Sequence, residues 1–210
     1  MLVEIVDDVY RRKVFRYSKG RCLEVGCGSG KIIDYVARKI PDEQHMAIDV
    51  VNCATDLKAP NVKFIKVSVE DFNPKTKFDT IIMLHVLEHL ENPIGVLKKL
   101  YDILNKGGKI IIAVPNRFCI PIEDPKKTLC EEYSPHLWLW DKGSLDFTLT
   151  KSGFKHFFIP FMVHVPLTRS IARLHPKLFE IVSHVQEILG STLGRLFPFL
   201  QWHLIAIIEG

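Results

Sequence analysis

Hydrophobic positions along the chain form short apolar runs that alternate with longer stretches of helical periodicity. This alternation is typical of a parallel sheet with helices on both faces. Helices are predicted at 30–40 and at 93–105, the second beginning at Pro93 and ending before the next two glycines. The predicted strands are RCLEV at 21–25, HMAID at 45–49, VKFIKV at 62–67, FDTIIML at 78–84 and KIIIAV at 109–114.

Both ends of the chain extend this pattern. The first 17 residues repeat apolar positions at helical spacing, and so does the segment 168–189. A helix ending at Gly153, a strand around KHFFI and a last strand HLIAIIE at 203–209 are also predicted. We therefore expect one domain, with an N-terminal helix in 1–20, a core in 21–160, a helical cap insertion in 161–201 and the last strand in 202–210.

Composition limits the partners and the compartment. The formal net charge of +4 is weak for a protein that grips nucleic acid by charge, although Arg11, Arg12, Lys13 and Arg16 lie along the first helix and leave RNA or membrane-surface contact open. Five cysteines without a CxxC pair argue against a disulfide scaffold and a zinc ribbon. We expect a cytoplasmic protein, because no signal peptide and no membrane-spanning run is present.

The most informative stretch is LEVGCGSG at 23–30, where an apolar strand runs into three glycines at alternate positions. Glycine allows positive φ and close approach of a ligand to the backbone, and the following helix offers free N–H groups. A dinucleotide site would require G-x-G-x-x-G, but Lys31 stands at the third position of that pattern. An ionised Glu24 would also repel a diphosphate and would suit a ligand carrying an ammonium group.

A second acid follows at the end of the next predicted strand. Asp49 lies where a carboxylate can accept both ribose hydroxyls of an adenosine. The glycine loop and this acid together predict a nucleoside ligand with an amino-acid or methionine-like moiety.

These residues resemble the class I S-adenosylmethionine-dependent methyltransferases, and they are most similar to the small-molecule branch that includes quinone-biosynthesis O-methyltransferases. The resemblance implies a Rossmann-like, doubly wound α/β fold, with a mostly parallel seven-stranded sheet and an antiparallel last strand. It also implies methyl transfer from S-adenosylmethionine to a small acceptor, with RNA or protein methylation and a non-catalytic binding module as alternatives. Four motifs carry it: LEVGCGSG; AIDV at 47–50; VEDF at 69–72; and FDTIIMLHVLEHL followed by LNKGGKIIIAVPN.

The resemblance assigns the glycine loop to the methionine end of the cofactor. It assigns Asp49 to the ribose and Val50 to the adenine. Where the family often has an aspartate for the adenine amino group this chain has Ser68, so that contact is weaker or is supplied by Glu70 or Asp71, while the backbone at Val69 can still bond the ring. The remaining implied cofactor residues are Glu24, Gly26, Cys27, Gly28, Gly30 and, beside the methyl group, Leu84.

The histidines after the fourth strand raise the question of a metal. His85, Glu88 and His89 share one face of a helical turn, and HVLEH matches the H-x-x-E-H pattern of inverted zinc peptidases. A peptidase is disfavoured because the string directly follows a buried strand. Some methyltransferases with E-x-x-E-H here bind magnesium, but a histidine in place of the first glutamate suits that ion poorly, so we expect no metal.

Alignment of acceptor, methyl and sulfur contributes most to such a reaction, and a base helps where the acceptor is a hydroxyl. His85 is the first candidate and His136 the second; each is alternatively a structural histidine. No NPPY-like tetrapeptide follows the fourth strand, which disfavours a nucleobase amine. An apolar roof over a hydrophobic acceptor, or alternatively sheet packing or a homodimer contact, is expected from Phe118, Tyr133, Trp138, Trp140 and the helix at 168–189.

Overall fold

A computed structural model describes residues 2–118, 136–159 and 203–210, with side chains from Tyr10 onward. The helices in these ranges are α1 (Leu2–Tyr17), α2 (Lys31–Lys39), α3 (Pro93–Asp102) and α4 (Lys142–Lys151), together with a 3₁₀ turn at Leu87–His89. The strands are β1 (Cys22–Val25), β2 (His45–Asp49), β3 (Val62–Lys66), β4 (Phe78–Leu84), β5 (Leu104–Pro115), β6 (Lys155–Ile159) and β7 (His203–Glu209).

The seven strands form one sheet in the order β3-β2-β1-β4-β5-β7-β6. Strands β1 to β5 pair in parallel, whereas β7 lies antiparallel to both β5 and β6. The predicted mostly parallel sheet with an antiparallel last strand is therefore confirmed. Because the chain runs outward from β1 to β3 and then returns to β4 on the other side of β1, a crevice opens at the carboxyl ends of β1 and β4.

Helices cover both faces of the sheet, as the alternating pattern predicts. On one face Tyr10 of α1 and Ile33 of α2 belong to a buried cluster that includes Ile82 of β4. On the other face Leu97 of α3 and Leu149 of α4 belong to a cluster built on Ile81, Met83 and Ile112. Successive residues of β4 point to opposite faces, so an uninterrupted apolar run is needed to fill both layers.

The junction between α3 and β5 differs from the prediction. Helix α3 ends at Asp102 rather than at residue 105, and β5 begins at Leu104 rather than at 109. Phe78 pairs with Leu104 and Thr80 pairs with Lys109, so residues 105–108 bulge out of the ladder. Gly107 has a φ of +73° in this bulge, so the glycines interrupt the strand instead of preceding it.

Part of the predicted cap lies outside the described residues. This applies to the insertion at 161–201, to its helix at 168–189, to Tyr133 and to most of the loop after Pro115. Within the described residues, no helix has both the length and the apolar character needed to cross a membrane.

Candidate functional site

A pocket of about 400 Å³ lies at the carboxyl ends of β1, β2 and β4, where the topology opens the crevice. Apolar side chains form much of its wall, including Val25, Ile48, Val86 and Leu90. The predicted site residues that line it are Gly26, Gly28, Asp49, Val50, Val69, Glu70 and His85. The other predicted site residues, Glu24, Cys27, Gly30, Ser68, Leu84 and His136, are not part of this lining.

The glycine loop connects β1 to α2 with three left-handed residues, at φ of +67° for Gly26, +51° for Gly28 and +84° for Gly30. A Cβ on Gly26 would lie 2.2 Å from a methyl of Val86, so glycine is required for the loop to pass the end of β4. A Cβ on Gly28 would meet no atom within 4 Å. Because Gly28 also lines the pocket, this open space is where a ligand can approach the backbone.

Asp49 ties the glycine loop to the end of β2. Its Oδ2 accepts a hydrogen bond from the Gly28 N–H at 2.8 Å, and its Oδ1 accepts one from the Val51 N–H at 2.9 Å. A carboxylate has about four acceptor positions, so about two are left for a ligand in the pocket. The carboxylate therefore holds the loop and can still accept two ligand hydroxyls.

Glu24 lies beneath the loop. Its side chain is only 3% exposed, and Oε2 accepts a hydrogen bond from the Ile33 N–H at 3.0 Å, in the first turn of α2. Burial raises the pKa of this carboxyl to about 8, and the neighbouring Asp49 adds to the rise. The neutral acid thus predominates at pH 7, so the charge repulsion inferred from the sequence does not act through an ionised Glu24.

The loop after β3 also lines the pocket, through Val67, Val69 and Glu70. The Ser68 hydroxyl donates to Oδ2 of Asp71 at 2.9 Å and accepts from the Asp71 N–H at 3.1 Å. This turn occupies both side chains and presents Val69 and Glu70 to the pocket. Of the two acids named from the sequence for this side, Glu70 is the one that reaches the pocket.

His85 follows β4 in a strained conformation. Its φ of +56° is left-handed, which no other non-glycine residue of the described segments adopts. Such a conformation is uncommon and persists where the surroundings impose it, often at functional positions. The backbone is held by the His85 N–H, which donates to the carbonyl of Ala113 at 2.8 Å.

The His85 ring contacts Glu88, its expected neighbour on the turn, and two groups from distant segments that the sequence did not indicate. Its Nε2 lies 3.0 Å from the Tyr10 hydroxyl of α1, and its Nδ1 lies 3.4 Å from Oε1 of Glu88. The ring of His203, at the start of β7, packs edge-on with a centroid distance of 4.6 Å. Burial raises the pKa of Tyr10 well above its usual value, with a contribution from Glu88, so the phenol remains a hydrogen-bond donor.

The contact with Tyr10 bears on which ring nitrogen of His85 carries the proton. A Tyr10 hydroxyl that donates to Nε2 places the imidazole proton on Nδ1, facing Glu88. Burial, aided by His85, lowers the pKa of His203 to about 3, so His203 stays neutral. Neither Tyr10 nor His203 was singled out from the sequence, because a tyrosine on an apolar helix face and a histidine at a strand end carry no motif.

The segment 136–140 lies over the 3₁₀ turn. The N–H groups of Leu137 and Trp138 donate to the carbonyl of Glu88 at 2.8 and 3.1 Å, and the Trp138 indole donates to the carbonyl of Leu90 at 2.8 Å. The His136 ring consequently lies 4.8 Å from that of His89, measured between centroids.

The expected aromatic roof divides into two parts. Trp140 is 5% exposed and belongs to the core cluster on the α3 and α4 face, so it packs onto the sheet. Trp138, which stacks on it, is 42% exposed, and Phe118 is 62% exposed. Only these two of the described roof residues offer apolar surface to another molecule.

Comparison with known proteins identifies the family to which this chain belongs. Residues 4–156 match the model of the methyltransferase domain family. A tRNA U34 carboxymethyltransferase of Alteromonas mediterranea is 33% identical over 107 residues, which cover 45% of this chain and 32% of that protein. A ubiquinone biosynthesis O-methyltransferase of Paracidovorax citrulli is 30% identical over 105 residues, 46% of this chain and 44% of that protein.

Among solved structures, the plantazolicin methyltransferase BpumL in complex with SAH superposes with a TM-score of 0.60 at 19% identity, covering 98% of this chain and 81% of that one. This similarity shows a shared fold. The chain spans less than half the length of the two curated relatives. The family match confirms the resemblance drawn from the sequence motifs.

Proposed function

Because the chain belongs to the methyltransferase domain family, we propose that it binds S-adenosylmethionine in the pocket at the ends of β1, β2 and β4 and transfers the methyl group to a small, hydrophobic acceptor. The observation that carries the cofactor assignment is the hydrogen bond from the Gly28 N–H to Asp49, at a junction where a Cβ on Gly28 would meet no atom within 4 Å. That junction offers ribose acceptors and close backbone approach at one point. The SAH bound to the related fold of BpumL agrees with this choice of ligand.

The cofactor would extend from the glycine loop to the loop after β3. Gly26 and Gly28 border its methionine end, Asp49 accepts the ribose hydroxyls, and Val50, Val69 and Glu70 flank the adenine. The buried Glu24 and Cys27, with Gly30 packed beside Leu57, shape the loop from below. Ser68 contributes indirectly, because its hydrogen bond to Asp71 stabilises the turn that presents Glu70 to the pocket.

The sulfonium of S-adenosylmethionine supplies an activated methyl group, so the chain contributes mainly orientation, exclusion of water and a proton acceptor. We assign to Leu84, the last residue of β4, and to His85 after it the positions beside the methyl group. His85 is our candidate base: Glu88 near Nδ1 favours a protonated Nδ1 and leaves Nε2 as the acceptor. An acceptor hydroxyl would take the place that the Tyr10 hydroxyl holds at Nε2. His136, above the neighbouring turn, is the second candidate.

A small acceptor is favoured by the ubiquinone biosynthesis relative and by the exposed Trp138, whose indole donates to the carbonyl of Leu90 in the pocket wall. RNA is the alternative acceptor, since the second relative is a tRNA U34 carboxymethyltransferase. The net charge of +4 gives RNA little support. A non-catalytic cofactor-binding module is the remaining alternative.

We place this activity in the cytoplasm, because the described cysteines Cys22, Cys27 and Cys53 are all free thiols. Leu137 and Leu139 are exposed beside Trp138, and they form the surface that we propose for a homodimer or a membrane-surface contact.

The deciding experiment uses cofactor with a labelled methyl group and the full chain, offered phenols, carboxylates, lipids, proteins and tRNA in parallel. We expect label in one of the small-molecule pools. Label in tRNA alone would establish the RNA alternative. Tight cofactor binding without transfer to any pool would reject the enzymatic function.

The matched variant is His85→Asn, because asparagine tolerates left-handed backbone but has no basic nitrogen. Its transfer rate should fall by about 10²- to 10⁴-fold if His85 is the base, with a much smaller change in cofactor affinity, since His85 also lines the pocket. A wild-type rate would remove His85 from catalysis while leaving the cofactor assignment intact.

A further inference from the structure

The pocket combines two carboxylates in its lining with a third, buried acid close behind its wall. The lining contains Asp49 and Glu70, and among the residues that the structure describes it contains no lysine or arginine. Glu24, the next-to-last residue of β1, is only 3% exposed. Val25 and Gly26, which follow it directly, both line the pocket. Such a site favours a ligand that carries positive charge.

Two titratable groups interact electrostatically with Glu24. These are Asp49, at the end of β2, and Cys27, in the glycine loop. Burial raises the pKa of the Cys27 thiol to about 12, so this group is neutral near pH 7. The strand neighbours of Glu24, Ala47 in β2 and Ile82 in β4, are apolar. Within the described segments, no basic side chain forms an ion pair with Glu24.

The Glu24 carboxyl holds a proton that a nearby positive charge can release. Burial, with a contribution from Asp49, raises its pKa to about 8, so the neutral acid predominates at pH 7. A positive charge in the pocket favours the ionised form and lowers this pKa. The cofactor and its product differ in one such charge, because the sulfur is a sulfonium in S-adenosylmethionine and an uncharged thioether in S-adenosylhomocysteine. Their amino-acid and nucleoside groups are the same.

We propose that Glu24 makes the discrimination between S-adenosylmethionine and S-adenosylhomocysteine depend on pH, with the preference for the charged cofactor increasing as pH rises. The proposal rests on the cofactor assignment and not on the identity of the acceptor. Because the sulfonium favours ionised Glu24, the S-adenosylmethionine complex holds fewer protons than the product complex, and the ratio of the two affinities rises with pH. The neutral product gains less from the ionised carboxylate, so its replacement by fresh cofactor is favoured above neutral pH.

The experiment titrates the full chain by calorimetry with S-adenosylmethionine and, separately, with S-adenosylhomocysteine at several pH values. Contributions from groups that the two ligands share cancel in the ratio of their affinities. We expect this ratio to rise by about threefold or more between about pH 6 and about pH 8.5, with a limit of about tenfold per pH unit for one proton. Titrations in buffers of different ionisation enthalpy should show more proton release with S-adenosylmethionine.

Glu24→Gln should abolish the rise, because glutamine keeps a carbonyl oxygen for the Ile33 N–H but cannot ionise. This variant is decisive because His85 also lines the pocket, and loss of a proton from an imidazole would change the ratio in the same direction. The matched control is Glu70→Gln, which removes an exposed acid of the same lining. Exposed carboxyls are ionised throughout this pH range, so the control should keep the wild-type slope.

Carboxyl ¹³C NMR of the wild type follows Glu24 without any substitution. Its titration midpoint should lie at lower pH with S-adenosylmethionine bound than with S-adenosylhomocysteine bound. Equal midpoints, a ratio of affinities that does not change with pH, or the same slope in Glu24→Gln as in the wild type would overturn the proposal and leave cofactor binding intact. Failure of the wild type to bind either ligand would instead reject the cofactor assignment on which the proposal rests.

Discussion

Replacing Glu24 by glutamine should make the free energy of unfolding less dependent on pH over the range from about pH 5 to about pH 8. In the folded protein, burial beneath the glycine loop raises the pKa of the Glu24 carboxyl from 4.5 to about 8. The unfolded chain exposes the same carboxyl to water, where it has its ordinary pKa. The two states therefore differ in protonation throughout this range.

The sign follows from which state keeps the proton. The folded state retains it while the unfolded state releases it, so the contribution of Glu24 to stability is complete below pH 4.5 and declines as pH rises towards 8. Each pH unit between these values costs about 1.4 kcal/mol. The loss amounts to about 3 kcal/mol at pH 7 and about 5 kcal/mol above pH 8.

Glutamine is the matched replacement because it has a similar volume and keeps a carbonyl oxygen for the Ile33 N–H, but it cannot ionise. Urea unfolding of both proteins at about pH 5, 6, 7 and 8 measures the effect, and their difference cancels every other titrating group. We expect the glutamine variant to gain about 1.4 kcal/mol relative to the wild type per pH unit. A difference that stays constant with pH would refute the buried, proton-retaining Glu24.

Three further predictions concern the pocket and its surroundings. Gly28→Ala and Gly107→Ala both place a Cβ at positive φ with no atom within 4 Å, so each should lower the free energy of unfolding by about 1–2 kcal/mol in denaturant titrations. Only Gly28→Ala should weaken S-adenosylmethionine binding in calorimetry. Equal cofactor affinity in the two variants would contradict a cofactor position beside Gly28. Asp49→Ala should weaken that binding by about 1.5–3 kcal/mol in the same titration, and unchanged affinity would contradict the ribose placement. Burial lowers the pKa of His203 from 6.5 to about 3, so its contribution to stability is present above pH 6.5 and is lost as pH falls towards 3. In His203→Phe, stability measured by circular dichroism should therefore decline less steeply with falling pH than in the wild type. The same decline in both proteins would contradict a buried neutral imidazole.

Much of the fold follows from local patterns in the sequence. Strands buried on both faces need continuous apolar runs, and those at β1, β2 and β4 were located within one residue of their ends. The α3–β5 junction was misplaced because residues 105–108 look like a helix end, whereas the pairing of Phe78 with Leu104 extends the ladder before them. That pairing depends on the neighbouring strand β4, and the hydrophobic periodicity of a single segment contains no information about its neighbours.

The glycine loop and Asp49 were recognisable because close backbone approach and a carboxylate at a strand end leave local sequence signals. The protonation of Glu24, the Tyr10 and His203 contacts of His85, and the convergence of Glu88 with His136 were decided only by the tertiary structure. Burial and proximity arise between segments far apart in the chain, and electrostatic energies depend on both. The sequence by itself thus determined where a cofactor can approach the backbone, and folding determined the charge and partners of the side chains around it.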